Sequence, residues 1–509
     1  MFGIICILIS QLQGFFAKSY GTDRSNKCFS VIQTQDQGYA MAGYSGEFYS
    51  NGSFLVVKTD STGALSWAYE YYRTGGTYDE FAWPIVQAAD GSYYVGGHAF
   101  DDFNISNDIV LMKLNSSGGI LWTKSYGVPY PDLDYAHSMV MLSDGGLAIA
   151  GHTIPGGQQD IIVMKLTPNG DVVWAKKYSD VNQDHAYGVI QTSDGKIVVS
   201  GFTVRSGSSD FDILVICLDG FGNTLWAKTY GTSGQNDFGY SVAQLADGNL
   251  VVDGYLGGYG GGVLKIRLSD GALLWAKAFA DANLDYFYRP QITRTSDGGF
   301  ILPAFSSSFG AGSYDFLIMK FASNGDLEWA RTFGGGNYEI PTCIIEKPDG
   351  RFAIAGMTIS YGVGNWDFAL LILRSDGTFP GACVATCNPP ASSPSLSTYT
   401  VASLSDWSYT KTDLSYERVD PGISVRPICD PLYESEDEHH SGINTRIIAS
   451  PCQGGASFLS PEPASIKIYL ADGRLAYSGM LQKGDNRIEL DQGVYFWRAG
   501  KQSGRIAVR

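Results

Sequence analysis

Four of the six histidines in this 509-residue chain, His98, His137, His152 and His185, stand at recurring positions within a short span. Imidazole ligates transition metals and titrates near neutrality, so four of them beside Asp101 and Asp134 suggest a metal site or a general base. No two share the close spacing that puts both rings on one face of an element, so the fold would have to assemble any such site. Large rings fall in a matching column, seven residues before a repeated Asp-Gly: Phe29, Trp83, Tyr187 and Tyr240, with His137 among them. Rings around a channel mouth would stack on sugars or grip a peptide, and the competing use is packing between neighbouring repeats. The ligand-binding candidates are therefore Trp83, His137, Tyr187, Tyr240, His98, His152 and His185. No residue is assigned a catalytic or metal-ligating role.

Acidic residues recur as well. One column is Asp79, Asp134, Asp184, Asp237 and Asp285, with Asn26 and Asn337 at its ends; a second is Asp108, Asp160, Asp212, Asp315 and Asp367. Read chemically, such carboxylates would hold calcium or act as acid and base. A catalytic group has no reason to return in every repeat, whereas an Asp that orders its loop by accepting backbone N–H bonds does. The structural role is the expectation, with calcium the one ion the set would suit and no other cofactor foreseen. A polar column of Gln33, Gln87, Gln191, Gln244, Arg294 and Glu346 is expected to be hydrated beside the channel.

These columns exist because the chain repeats a unit of about fifty residues. Leu225-Trp226-Ala227-Lys228-Thr229-Tyr230-Gly231 returns as Leu121 to Gly127, Val173 to Tyr178 and Leu274 to Phe279, and more loosely from Trp67 and Trp329. Between the copies, Asp-Gly turns at Asp90, Asp144, Asp194, Asp247, Asp297 and Asp349, and Asp36-Gln37-Gly38, each join two short apolar runs, a strong hairpin signal. A third apolar run follows each hairpin, such as Ile161 to Leu166. Seven units of four strands with no helical period predict an all-β, seven-bladed propeller. The seventh unit degenerates at Pro380 after its third strand, and Phe15 to Gly21 is an orphan copy of the fourth. A chain that begins with the strand its last unit lacks is built to close a ring. The Trp copies then form the outermost strand of each blade, the indole packing on its own sheet.

The unit resembles the SBBP-type β-propeller repeats of bacterial extracellular proteins, over about residues 15 to 380. The resemblance implies architecture and secretion and no single activity. The Gly-x-x-x-Trp turn only approximates that of quinoprotein dehydrogenases, and the spacing of sialidase Asp boxes is absent.

The expected domains are a signal peptide at 1–14, the propeller at 15–382, a Pro/Ser-rich and acidic linker with unplaced strands at 383–446, and a small β-sandwich at 447–509. The last stretch, with Ala471-Asp472-Gly473-Arg474, Gly493-Val494-Tyr495-Phe496 and a basic end, resembles the C-terminal sorting domain of the type IX secretion system. That resemblance implies export across both membranes by the type IX machinery, to the outside or the outer cell surface. Cys383, Cys387, Cys429 and Cys452 fall where a poor core would profit from disulfides, and their spacing does not suit zinc.

A formal charge of -16 leaves no basic stripe to release counterions from nucleic acid, and no internal segment is apolar for long enough to be transmembrane. The variable loops between second and third strands, including Ser306 to Asp315 and Ser360 to Asp367, are rich in Gly, Ser and aromatics, as binding loops are. The expected function is thus a monomeric, non-catalytic binding module for a glycan or protein. The alternative is an extracellular hydrolase or lyase using the His/Asp patch of blades two to four.

Overall fold

The computed structural model describes residues 15–379 apart from 48–49, 74–77, 102–105, 128–132, 155–156, 179–182, 205–208, 280–281, 283–289, 312 and 364, and beyond 379 only the strands given below. All regular elements among them are strands, and no helix is long and apolar enough to cross a membrane. Six blades are consecutive antiparallel meanders. Blade 1 runs from Asn26–Gln33 to Leu65–Arg73, blade 2 from Tyr78–Gln87 to Ile120–Gly127, and blade 3 from Asp134–Met141 to Val172–Tyr178. Blade 4 runs from Asp184–Gln191 to Thr224–Gly231, blade 5 from Phe238–Gln244 to Leu273–Phe279, and blade 6 from Thr293–Arg294 to Leu327–Phe333. Blade 7 takes Glu339–Glu346, Phe352–Thr358 and Asp367–Leu373 from the end of the repeats and Ala17–Gly21 from their start. The first strand of each blade touches the first strands of both neighbours in an unbroken cycle, so these strands line the centre of a closed seven-bladed β-propeller.

The Asp-Gly turns fold as their residues demand. Gly91, Gly145, Gly195, Gly248, Gly298 and Gly350 all hold φ between 78° and 89°, a region that costs a Cβ-bearing residue about 1–2 kcal/mol. Blade 1 has Gln37 there, at φ 65°, where the other six have glycine. Gln37→Gly should therefore raise stability by about 0.5–1 kcal/mol in urea titration, and an unchanged midpoint would show that the bond from Gln33 to Gln37 offsets the strain. In five blades a third-strand lysine ties down the turn aspartate, as in Lys58–Asp36 and Lys265–Asp247, both 2.7 Å.

The repeated Trp motif proves to be a latch between blades. Its indole lies over the glycine of the next blade's turn between third and fourth strands, not on its own sheet alone: a Cβ on Gly222 would stand 3.0 Å from Trp174, and one on Gly271 2.8 Å from Trp226. The Trp174 and Trp226 N–H groups donate to the carbonyls of Gly220 and Leu268 in that same turn. The motif tyrosine also reaches across: Tyr71, Tyr126 and Tyr230 hydroxyls donate to Gly118, Gly170 and Gly271. The N-terminal copy does the same, with Phe16 over Gly63 and Tyr20 donating to the Gly63 carbonyl at 2.8 Å. Nearer the channel on the same face, the polar column forms a second set of latches. Gln87, Gln191, Gln244 and Glu346 each accept the backbone N–H of the preceding blade's Asp-Gly turn, from Gln35, Ser143, Ser193 and Ser296.

The described parts of the Pro/Ser-rich segment are paired to the propeller. Its strands Val384–Cys387, Ala391–Ser392, Ser397–Thr400, Ser405–Asp406, Thr410–Asp413, Tyr416–Val419 and Ser424–Pro427 add a fifth strand to blades 6, 5, 4, 3, 2, 1 and 7 in turn. The Trp strands are therefore the fourth of five. Pro427–Arg509 is a separate compact unit with one three-stranded and one four-stranded antiparallel sheet. Residues 1–14, the Asp472-Gly473-Arg474 turn and the side chains of Cys383, Cys387, Cys429 and Cys452 lie outside the described residues.

Candidate functional site

Six of the seven first strands, all but that of blade 6, carry a β-bulge, and the aromatic column sits on it. The register slips past Phe29, Trp83, His137 and Tyr187, past Tyr240 with Ser241, and past Thr342 in blade 7. A bulge leaves the extra residue out of the ladder and re-aims its side chain, which is how six strands of one pattern present side chains toward the seams. Ser138 and Ser241, next in chain, accept the N–H of Val189 and Ile292 from the following blade and so tie each bulge to its neighbour.

All seven candidate residues meet in one band of ring contacts. Trp83 lies 5.9 Å from His137 and 6.5 Å from His98; His137 lies 4.9 Å from His152 and 5.1 Å from Tyr187. His152 is 4.2 Å from His185, and Tyr187 is 6.2 Å from Tyr240. Tyr135 stacks on His152 at 4.5 Å, and Phe202 on His185 at 4.6 Å. Within the band, His137 Nε2 and His152 Nδ1 are 2.9 Å apart and share one hydrogen bond, so one ring donates and the other accepts. His185 bonds Gln159 through Nε2, and its Nδ1 lies 3.2 Å from the Tyr187 hydroxyl. Among the described residues no three His, Cys, Asp or Glu side chains form a metal-ligating group. Trp83 is half-buried, and the other six candidates are buried, so the band is a floor under the loops more than an open surface.

The acidic columns order the loops above that floor. Asp237 accepts N–H bonds from Thr232, in the loop entering blade 5, at 2.6 Å and from Gly257, between its second and third strands, at 2.9 Å. Asn26 takes the N–H of Thr22 in the same manner. In blade 7 the column is filled by Glu339 and not by Asn337: Glu339 accepts from Gly335 and Ser360, and its own N–H goes to Tyr314. Burial, with the neighbouring Asp212 charge adding to it, pushes the Asp237 carboxyl up to about 6. Asp79 and Asp285 lie where side chains are not described.

Two features escape a reading by columns. Tyr314, Tyr338 and Trp366, from the loops of blades 6 and 7, form a shelf with centroid spacings of 5.4 and 6.3 Å; Phe305 backs it at 5.0 Å, and Lys27 lies 5.9 Å over Trp366. Tyr338 is 39% exposed, which makes this an open part of the aromatic rim. The second is Asp253, fully buried on the second strand of blade 5, whose Oδ1 accepts from both Ser241 N–H and Oγ–H. The other blades carry Ala42, Gly96, Ala150, Ser200, Pro303 and Ala355 at this place, so comparing second strands position by position would have exposed it.

No family model matches the chain, and no curated protein does. Among solved structures, BamB from Moraxella catarrhalis matches at 14% identity and a TM-score of 0.37, over 67% of this chain and 84% of that one. PorZ of Porphyromonas gingivalis, described as an essential bacterial surface component of its type-IX secretion system, matches at 12% and 0.39, over 94% of this chain and 59% of that one. Sqt1 from Chaetomium thermophilum matches at 13% and 0.38, over 71% of this chain and 98% of that one. At such identities the assignment of the fold rests on the sheet topology and the closed cycle of first strands.

Proposed function

We propose that this propeller is an extracellular or cell-surface module that binds a glycan or protein through its loop face without catalysing a reaction. The observation that carries the reading is the convergence of all seven candidate side chains into one band of ring contacts, four of them borne on bulges. The band supplies a rigid base, and the Tyr314–Tyr338–Trp366 shelf adds exposed rings of the kind that stack on sugars or anchor peptides. Residues 447–509 serve as the export unit read by the type IX machinery.

Glycan arrays and pull-downs with the full chain test the binding. Tyr338→Ala and Trp366→Ala should weaken binding about tenfold or more with an unchanged thermal midpoint, the effect of removing an aromatic anchor. Trp83→Ala, Tyr187→Ala and Tyr240→Ala should lose binding together with some stability, because they remove the base. Binding that survives in all five variants would sink the proposal. Turnover abolished by His137→Ala with binding retained would favour a hydrolase or lyase instead. The export role fails if residues 447–509 fused to a carrier leave it inside a bacterium competent for type IX secretion.

A further inference from the structure

The seven short strands between Val384 and Pro427 have a spacing that deserves a physical account. They begin at 384, 391, 397, 405, 410, 416 and 424, five to eight residues apart, and visit the blades in an order opposite to that of the chain. At about 3.3 Å per extended residue each step spans roughly 17–26 Å, enough to cross one blade's outer rim and start the next. Six of the seven pair antiparallel with a fourth strand through its later residues: Lys228↔Thr400 through Gly231↔Ser397, Lys124↔Asp413 through Gly127↔Thr410, and Ala330↔Cys387 through Phe333↔Val384 are three of them. The seventh joins the N-terminal strand Ala17–Gly21 in blade 7. The segment thus leaves no blade out.

A propeller closes its ring around the centre, yet every blade still ends in an outer strand whose free edge is a template for another chain. Here those edges are regular strands of seven to nine residues in blades 1 to 6, and four successive ones carry an exposed aliphatic side chain just before the Trp. Leu121, Val173, Leu225 and Leu274 are 53%, 54%, 49% and 44% exposed. A long edge with an exposed aliphatic residue is the combination that pairs with a second copy. The added strands cover the later part of each edge, Lys228–Gly231 in blade 4 and Lys124–Gly127 in blade 2, which leaves the stretch around Leu225 and Leu121 too short to pair by itself, and their own edges of two to four residues are interrupted by Pro389, Pro390, Pro394 and Pro421.

We propose that residues 384–427 are a built-in edge cap, and that the occupant they exclude is the fourth-strand edge of a second copy of this chain. When the cap is lifted from a blade, two rings pair edge to edge through the uncapped Trp strands. Because each ring has several such edges, lifting the cap from two blades gives open chains of rings and not closed pairs alone.

The test uses the full chain with the tandem replacement Thr398→Pro and Tyr399→Pro, which removes pairing on blade 4 only, and a second variant with Lys411→Pro and Thr412→Pro for blade 2. Light scattering after gel filtration should show at least about a doubling of mass relative to the parent at equal concentration, as isologous pairing requires. Adding Leu225→Lys to the first variant, or Leu121→Lys to the second, should restore the parental mass, since an edge lysine blocks pairing. To keep folding out of the question, cleavage sites placed in 388–390 and 401–404 allow strands 391–400 to be excised from protein already folded. Association after excision supports the cap. Excised rings, or folded proline variants, that keep the parental mass overturn it, as does association that the lysine replacements fail to relieve.

Discussion

A chain lacking Phe15 to Gly21 should melt at least roughly 10 °C below the parent, a fall that corresponds to several kcal/mol in a domain of this size. The strand it loses pairs Ala17, Lys18, Ser19 and Tyr20 with Leu371, Leu370, Ala369 and Phe368, and Phe16 accepts the N–H of Ile372. The same strand holds the seam to blade 1, because Phe16 covers Gly63 and meets Tyr39 edge-on at 5.9 Å while Tyr20 bonds the Gly63 carbonyl. Phe16 and Tyr20 are buried, and truncating one large buried ring costs about 3–5 kcal/mol. Two such losses approach the whole stability of an ordinary domain, about 5–15 kcal/mol, before the exposed edge of Asp367–Leu373 is counted. Tyr20→Phe isolates the latch from the strand. It keeps the ring and the ladder and loses one hydroxyl, for about 1–2 kcal/mol with the Gly63 carbonyl left buried. Calorimetry on the two variants decides the matter: equal midpoints for parent and truncated chain would show that the ring stays shut by other means.

The clasp was legible because it repeats a motif whose every part reaches the next blade. Phe16, Lys18 and Tyr20 each contact the Thr62–Gly63 turn, as the Trp, Lys and Tyr of later copies contact theirs, so one stray copy suffices to reveal where it must sit. The Asp-Gly turns and apolar runs specify the hairpins for the same local reasons. The edge cap was not legible. Strands of two to four residues held by backbone bonds need no alternation of apolar side chains, and their prolines and serines read as linker. Register inside the site was hidden as well. Bulges at His137 and Tyr187 shift the ladder by one residue without any marker in composition, and Glu339 occupies a place that a column of Asp and Asn suggested for Asn337. The polar column was grouped from the sequence, but its contacts to the neighbouring blade were not foreseen. Gln191 and Gln244 face the turns of the preceding blade and spend their amide oxygens there, which no residue type alone announces.

Asp253→Asn should stabilise the protein at pH 8 by roughly 2–4 kcal/mol and change it by less than about 1 kcal/mol at pH 4. Burial pushes the Asp253 carboxyl up to about 7 in spite of the two bonds it accepts from Ser241, and its Oδ2 has no hydrogen-bond partner among the described residues. The sign follows from proton counting. An unfolded Asp titrates near 4, so between about pH 4 and 7 the folded chain binds the proton that the unfolded chain has released, and stability falls as pH rises through that window. Below it both states are protonated and the difference vanishes; above it the full cost of a buried charge is present. Raising the carboxyl from its ordinary value to about 7 corresponds to about 4 kcal/mol. Asparagine keeps an oxygen for Ser241 and removes the titration, so the variant's denaturation midpoint should lose the slope that the parent shows between pH 4 and 7. Asp237, pushed up to about 6, has the same sign and a narrower window, and Asp237→Asn serves as the internal comparison. Parallel pH profiles for parent and Asp253→Asn would mean that the carboxyl is ionised in the folded ring and compensated by a group facing it. Ser241 also accepts the N–H of Ile292 from blade 6, so the proton on Asp253 bears on the seam beside Tyr240. A binding constant that changes between pH 5 and 8 in the parent but not in the variant would place that seam in communication with the loop face.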